Sequence, residues 1–124
     1  YNKKLNIVFL LLKGTSNNII NDLNIDNKFN HSVDYYEKSI QIISQTADED
    51  RLSITLNKLA NLYIKMGLYE TALKHYAKAE KIKLKIKDKL GIGYTFLGIA
   101  RVKSWMGKYD NAITLLNKTV NIFM

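Results

Sequence analysis

The sequence predicts an all-α protein, built as a solenoid of about three antiparallel helix pairs. Between Leu56 and Ile82, apolar residues recur at helical spacing in two runs that Gly67 separates. The same pattern returns further along the chain, between Phe96 and Ile122. The chain contains no proline, which agrees with long uninterrupted helices. Helix pairs at a fixed period bury their apolar faces against their neighbours, so the period predicts a solenoid.

The central pair sets the pattern for the whole chain. Gly67 is expected to end its first helix, because a glycine adopts the left-handed conformation after a helix at almost no steric cost. Alanines in the second helix would allow the two backbones to approach closely. The predicted inward residues are Leu56, Leu59, Ala60 and Tyr63 in the first helix, and Ala72, Leu73, Tyr76, Ala77 and Ala79 in the second.

The register extends in both directions. One period on, Gly107 and Ala112 take the places of Gly67 and Ala72. One period back, Asn27 stands where the turn glycine is expected, and asparagine is the next best residue there. We expect a single domain over residues 1–124, with a degenerate repeat 1 at about 13–52, repeat 2 at about 53–92 and a truncated repeat 3 at about 93–124.

These residues resemble the tetratricopeptide repeat. Its pattern of small and aromatic residues is similar to Ala60, Tyr63, Gly67-Leu68-Tyr69, Ala72, Tyr76 and Ala79. The 40-residue period looks like the branch that includes kinesin light chains and bacterial peptide-sensing regulators. Leu56-Asn57-Lys58-Leu59-Ala60 is similar to a signature of that branch. The third unit departs from the pattern at Lys103, Leu116 and Thr119. The resemblance implies a non-catalytic scaffold that binds a protein or peptide segment on the concave face lined by the first helices.

The stretch 1–14 has two interpretations. Two lysines before the apolar run 7–12 are similar to the start of a secretory signal, but no small-residue cleavage site follows. We favour a first helix that continues to about Leu23, because Leu12 falls in register with Leu52 and Ile92. The run is too short to span a bilayer. We expect a cytoplasmic protein, and the apolar run leaves secretion open.

The other elements follow from the register. The second helix of repeat 1 is predicted from about Lys28 to Ser44. Thr46 and Glu49 fit a capping box before the next helix, and Asp88 fits a cap at the position one period after Asp48. The helices of repeat 2 are predicted to end near Met66 and Lys87, and those of repeat 3 near Met106 and the last residue.

Charge is concentrated in the second half of the chain. Residues 1–62 are neutral, whereas residues 63–124 carry twelve basic and four acidic residues and so the whole net charge of +8. A basic surface is predicted on one helix at spacing i, i+4, i+7, i+11, formed by Lys74, Lys78, Lys81 and Lys85. Lys83 is expected to lie around this solvated stripe.

No catalytic constellation is recognisable. His31 and His75 are isolated and are predicted to be exposed, and there is no cysteine for a thiolate metal site. Gly91, Gly93 and Gly98 do not have the spacing of a dinucleotide site, and close helix packing explains them better. We therefore expect no enzyme activity, no cofactor and no metal.

The predicted binding residues lie on the first helices, on the face turned away from the core. Asparagine amides offer both donors and acceptors to the backbone of an extended peptide. The set comprises Asn17, Asn21, Asn57, Asn61, Lys65, Tyr94, Arg101 and Trp105. Two alternatives stay open: the asparagines are also what an AT-rich genome would produce, and Trp105 could instead pack against a further unit.

The favoured hypothesis is a protein- or peptide-binding scaffold that is part of a larger regulatory protein. The chain begins with Tyr1 and ends at Met124 within a helical pattern, so we expect a fragment or self-association through the solenoid ends. A second hypothesis is non-specific binding of nucleic acid or acidic partners by the lysine-rich half. It is weaker because the stripe has no interleaved aromatics for base stacking. The third is a structural spacer.

Overall fold

Five helices make up the part of the chain that the structure, a computed structural model, describes: Lys3 and residues 16–123, with side chains at residue 3 and from residue 27 onward. They are α1 (Ser16–Ile43), α2 (Glu49–Lys65), α3 (Tyr69–Lys85), α4 (Lys89–Trp105) and α5 (Tyr109–Phe123). No strand occurs in these residues. The predicted all-α class is confirmed.

The chain divides into two compact units, Tyr1–Ser32 and Val33–Met124. In the second unit α2 packs on α3 and α4 packs on α5, and the two pairs are joined by packing of α3 against α4. Helix pairs therefore stack in sequence order, as a solenoid requires. The predicted extent of the domain and its repeat boundaries stay predictions.

The turns that follow α2, α3 and α4 have the same backbone structure. Gly67, Lys87 and Gly107 have φ values of 76°, 58° and 79°, and each follows the last turn of a helix. At the first of them the amide of Leu68 donates to the carbonyl of Tyr63, and the amide of Gly67 donates to that of Ile64. The same pair of bonds recurs after α3 and α4. These are Schellman motifs, which satisfy the carbonyls left open at a helix end.

The core of the second unit lies where α2, α3 and α4 meet. Its buried residues include large side chains on α2 and α3 and alanines that permit close approach, with Val33, Tyr36 and Ile40 of α1 packed against them. The predicted burial of Ala72 and Ala112 is confirmed. The buried cluster is Leu59, Ala60, Tyr63, Ala72, Tyr76 and Val102.

Glycines of α4 mark its closest packing against neighbouring helices. A Cβ at Gly98 would lie 2.7 Å from Cζ of Tyr76, and a Cβ at Gly93 would lie 2.8 Å from Cζ of Phe123. No side chain larger than hydrogen fits these positions without displacing an aromatic ring. The expectation that helix packing explains these glycines agrees with this geometry.

Three local predictions are wrong. Asn27 does not break a helix, because α1 runs from Ser16 to Ile43 without interruption. Thr46 does not cap α2: the cap is Asp48, whose carboxylate accepts from the amide of Arg51 at 3.1 Å. Ala77 is exposed and not inward, since the buried side of α3 consists of Ala72, Tyr76, Ala79 and Lys83. The predicted cap at Asp88 is confirmed by its bond to the amide of Gly91, at 3.0 Å.

Candidate functional site

A groove of about 470 Å³ opens between α2 and α4. Helical periodicity places every third or fourth residue of both helices on this side, away from the core. Six of the eight predicted binding residues line it, and the side chains of Asn17 and Asn21 lie outside the described residues. The lining consists of Asn57, Asn61, Ile64, Lys65, Tyr76, Tyr94, Gly98, Arg101 and Trp105.

Asn57 holds the two walls of the groove together. Its amide nitrogen donates to the hydroxyl of Thr95 at 3.2 Å, and that hydroxyl donates to the carbonyl of Gly91 at 2.9 Å. Thr95 is buried and Asn57 is half-buried. One of the two amide hydrogens of Asn57 is therefore committed to the fold, which the sequence pattern did not indicate.

The side chain of Asn61 is exposed in the groove, and a hydrogen bond from a core residue fixes its orientation. The hydroxyl of Tyr76, a buried residue of α3, donates to the side-chain oxygen of Asn61. This bond turns the amide NH₂ of Asn61 away from Tyr76, as a pair of donors for a ligand. Burial raises the pKa of Tyr76, and the positive charge of Arg101 nearby acts in the opposite direction. The phenol consequently stays protonated and keeps its donor role at neutral pH.

Aromatic rings bound the groove at both ends. Trp105 is 53% exposed and packs against Tyr69, with 6.1 Å between the ring centroids. Tyr94 is exposed and contacts Phe123, with 5.4 Å between the centroids. One face of each ring is thus supported by the protein, while much of the ring surface remains accessible. Such pre-positioned rings can take apolar groups at small entropic cost.

The groove is electropositive. Lys65 and Arg101 are exposed on its rim, and none of the described lining residues is a carboxylate. Three lining residues lie outside the predicted set: Ile64, Tyr76 and Gly98. Tyr76 is the polar one among them, and the sequence analysis assigned it wholly to the core. A signal was present, because a tyrosine on a packed face needs a partner for its hydroxyl and the groove is the nearest polar surface.

The predicted basic surface on α3 is only partly free. Lys74, Lys78, Lys81 and Lys85 are all exposed, but the ammonium of Lys85 lies 2.6 Å from a carboxylate oxygen of Glu49. Lys83 does not belong to a solvated stripe. It is 4% exposed, and its nitrogen lies 2.9 Å from both Asp50 and Asp88.

The ion cluster of Lys83, Asp50 and Asp88 links α3 to the starts of α2 and α4. Burial opposes the charged form of Lys83, but its hydrogen bonds to Asp88 and Asp50 outweigh burial and raise the pKa of Lys83. The bond from Lys83, together with that from the Gly91 amide, lowers the pKa of Asp88. Both groups are charged at neutral pH, so the cluster ties the two repeats together.

A larger cavity, of about 650 Å³, lies between residues 35–43 of α1 and the start of α2. Its charged lining residues are Asp48, Asp50, Arg51 and Lys58. Two acids and two bases give no net preference for one sign of ligand. Asp50 also holds Lys83, so this surface has a structural role.

The two histidines have different surroundings. His31 is exposed as predicted, whereas the prediction for His75 is wrong. It is half-buried, 5.1 Å from the ring of Tyr63, and its Nδ1 lies 2.8 Å from the carbonyl of Thr71. No group of three or more potential ligand side chains gathers within the described part of the chain. None of its helices combines the length and apolarity needed to cross a bilayer.

Comparison with known protein families gives a match to the tetratricopeptide repeat over residues 14–85, which is more than half of the chain. The chain belongs to the tetratricopeptide repeat family. Proteins of this family generally act as non-catalytic scaffolds for protein–protein interaction, and protein partners are expected for this tetratricopeptide chain. No protein of known function matches the sequence.

The match covers the central pair and extends back through α1. It therefore includes the region in which the sequence predicted a degenerate first repeat. The helix pair of α2 and α3 lies wholly within it. The groove described above is lined by α2, by α4 and by one tyrosine of α3.

Proposed function

We propose that this chain binds an acidic peptide segment of a partner protein in the groove between α2 and α4. The observation that carries the proposal is the composition of the groove. Among the residues that the structure describes, its lining has two cations, outward amide donors and two exposed aromatic rings, and no carboxylate. A basic ligand would be repelled by the positive charges of Lys65 and Arg101. An acidic ligand would be attracted by both charges.

Each group has a proposed role. Arg101 pairs with a carboxylate, because its planar guanidinium can form two parallel hydrogen bonds to one. The amide of Asn61 donates to a backbone carbonyl of the peptide. Trp105, supported by Tyr69, packs an apolar side chain, and exposed tryptophans are frequent anchors in interfaces. Asn57 contributes mainly by fixing the width of the groove.

The basic surface of α3 is the competing site. Lys74, Lys78 and Lys81 are exposed, and no aromatic side chain is interleaved with them. Attraction without stacking or bidentate readout gives weak binding that falls steeply with salt. Nucleic-acid binding and a spacer role therefore remain alternatives to the groove. Membership of the kinesin-light-chain-like branch is a further proposal, supported by the 40-residue period and by the stretch Leu56-Asn57-Lys58-Leu59-Ala60. A place in a larger regulatory protein and a cytoplasmic location are also proposals.

Trp105 provides the assay, since it is the only tryptophan of the chain. Peptides are selected from a random phage-displayed library, and their binding is then titrated by tryptophan fluorescence. We expect selected peptides to be enriched in Asp and Glu beside an apolar residue. Arg101→Ala should weaken their binding about 10-fold or more, the effect of removing a charged hydrogen-bond partner. Binding by a Trp105→Phe variant, followed by calorimetry, tests the anchor role.

The control is Lys78→Ala/Lys81→Ala, which removes more charge than Arg101→Ala but lies outside the groove. It should change binding by a few-fold at most, and added salt should remove that difference. If this pair abolished binding while Arg101→Ala had no effect, the basic surface would be the working site. Asn57 and Asn61 are less suitable probes. Replacing Asn57 removes the bond to Thr95 that joins the walls of the groove, and replacing Asn61 leaves the hydroxyl of Tyr76 without its partner.

A further inference from the structure

A second pocket, of about 320 Å³, lies beside the groove, between α2 and the start of α4. It shares Asn57 and Tyr94 with the groove, so the two form one continuous surface. Three of its lining side chains are large, apolar and exposed: Ile54 by 41%, Leu90 by 59% and Tyr94 by 65%. We call it the Leu90 pocket.

The charges in the Leu90 pocket leave its apolar surface available. Of the three charged residues that the structure describes in its lining, Lys83 and Asp88 bond to each other at 2.9 Å. The second oxygen of Asp88 accepts from the amide of Gly91 at 3.0 Å. The third charged residue, Lys58, is exposed. Because Lys83 and Asp88 neutralise each other, the pocket offers mainly apolar surface, and Lys58 adds positive charge that suits an acidic segment.

Leu90 stands where the other three helices of this series carry an acid. Helices α2 to α5 begin at intervals of 20 residues, and their second residues are Asp50, Glu70, Leu90 and Asp110. An acid is favoured at this position because the first turn of a helix carries a partial positive charge. A leucine that is mostly exposed gains neither this stabilisation nor much burial in the fold. A ligand that covers Leu90 would account for the exception.

The positions along α4 relate the Leu90 pocket to the groove. Leu90 and Tyr94 precede Arg101 by eleven and seven residues, which places the pocket about 10–16 Å from Arg101 along the helix. Trp105 follows Arg101 by four residues, or about 6 Å. An extended peptide advances about 3.3 Å per residue, so the two distances correspond to about four and about two peptide residues. Both offsets are even, and side chains at even offsets in an extended segment point to the same side.

We propose that the Leu90 pocket is a specificity-determining subsite, which takes an apolar side chain of the bound peptide about four residues from the carboxylate that Arg101 holds. This inference rests on the proposed function, because it requires an acidic peptide in the groove. The ligand is then a segment in which an acidic residue lies between two apolar residues. One of these packs on Trp105, and the other enters the Leu90 pocket.

The test is a double-mutant cycle between the chain and acidic peptides selected from the random phage-displayed library. Leu90→Ala keeps Trp105 in place, so binding is titrated by tryptophan fluorescence as before. This change should weaken binding about 5-fold, because it removes apolar surface that the ligand covers. Alanine at the peptide's apolar position, about four residues from the acid, should have a similar effect. Both changes together should weaken binding little more than either change alone.

The matched control is Leu84→Ala. Leu84 is 55% exposed on α3 and is not among the residues that line the groove or the Leu90 pocket. Its replacement should change the affinity by less than a factor of about two. Circular dichroism checks that both variants retain the helical content of the parent chain. Equal affinities of the Leu84→Ala and Leu90→Ala variants, or losses in the cycle that multiply in full, would overturn the subsite.

A second measurement needs no variant of the chain. A diazirine analogue of leucine replaces the apolar peptide residue about four positions from the acid, and the cross-links formed on irradiation are mapped by mass spectrometry. We expect them at Ile54, Leu90 or Tyr94. The same analogue at the other apolar position should label Trp105 or Tyr69. Identical labelling from both positions would overturn the subsite.

The two proposals fail in distinguishable ways. Binding that is sensitive to Arg101→Ala but not to Leu90→Ala would overturn the subsite and leave the groove proposal intact. Binding that depends on Leu90 but not on Arg101 would overturn the pairing of the peptide's acid with Arg101, and with it both proposals. Selection of peptides without enrichment in Asp and Glu would also overturn both.

Discussion

Replacing Lys83 by methionine tests the ion cluster that joins the two tetratricopeptide units. The change removes the buried ammonium and keeps most of the volume of the side chain. Asp50 is 61% exposed and returns to water, so its pair with Lys83 contributes at most about 1 kcal/mol. Asp88 is 35% exposed and keeps its bond to Gly91, so its loss is a single charged hydrogen bond, about 1–2 kcal/mol after allowance for solvent.

These terms give a destabilisation of about 2 kcal/mol for Lys83→Met. For a chain of this length the melting temperature should fall by roughly 6–10 °C. The assay is thermal and urea unfolding monitored by circular dichroism, with Lys81→Met as the matched control. Lys81 lies on the same helix and is exposed, so its replacement should change the free energy of unfolding by less than about 0.5 kcal/mol. Equal stability of the two variants would refute the assignment of Lys83 as a structural cation.

The same cluster predicts how this stability depends on pH. The pKa of Asp88 lies below 3.8 in the folded protein, so its contribution is present above pH 3.8 and is lost as the pH falls through the folded value. The pKa of Lys83 lies above 10.5, so its contribution is present below pH 10.5 and is lost as the pH rises through the folded value. The difference between the parent chain and Lys83→Met should therefore be largest between these limits and should shrink on both sides.

Three further predictions concern the turns and the helix contacts. Gly67 has a positive φ, and a Cβ added there would meet no atom within 4 Å. Gly67→Val should therefore lower the free energy of unfolding by about 1 kcal/mol or more through the backbone alone, as measured by urea unfolding. An unchanged unfolding midpoint would contradict the left-handed turn. Lys87 also has a positive φ but is not a glycine. Lys87→Gly should therefore raise the free energy of unfolding by up to about 1 kcal/mol. A lower free energy of unfolding would mean that the Lys87 side chain has a role in the fold. Ala72 is fully buried, so Ala72→Leu should cost about 1–3 kcal/mol by overpacking in the same assay, whereas Ala77→Leu on the exposed side should be nearly neutral.

Local sequence patterns were sufficient to predict most of the helix ends and buried residues of the second unit. The turn glycines, the buried alanines and the cap at Asp88 each follow from a steric or hydrogen-bonding requirement within a few residues of sequence. Six residues of the groove were identified for the same reason, since helical periodicity fixes which side chains share a face. What those side chains bind remains a proposal.

Long-range contacts account for two of the errors in the second unit, those at Lys83 and Tyr76. Lys83 shares the inward spacing of Ala72, Tyr76 and Ala79, but its charge favoured an exposed assignment. Its burial depends on Asp50, 33 residues away, together with Asp88, five residues away, because both carboxylates bond its ammonium. The reach of Tyr76 into the groove likewise depends on how closely α3 approaches α4 at Gly98. Neither contact can be read from one helix alone.

The prediction of a turn at Asn27 was wrong for a different reason. Asparagine tolerates the left-handed conformation better than most residues but less well than glycine. A continuous helix avoids that cost and adds backbone hydrogen bonds, so a weak turn signal was outweighed in α1. The repeat register was informative where glycine marked the turn and misleading where it did not.

The uniform length of the central helices restricts how this chain can change in evolution. Helices α2, α3 and α4 have 17 residues each, and their starts at Glu49, Tyr69 and Lys89 are equally spaced. One residue inserted within a helix rotates everything after it by about 100° and moves the apolar face out of contact. Gain or loss of one complete helix pair leaves every contact face in phase. Length variants that keep the fold should therefore differ by whole pairs, with other insertions confined to the ends of the chain.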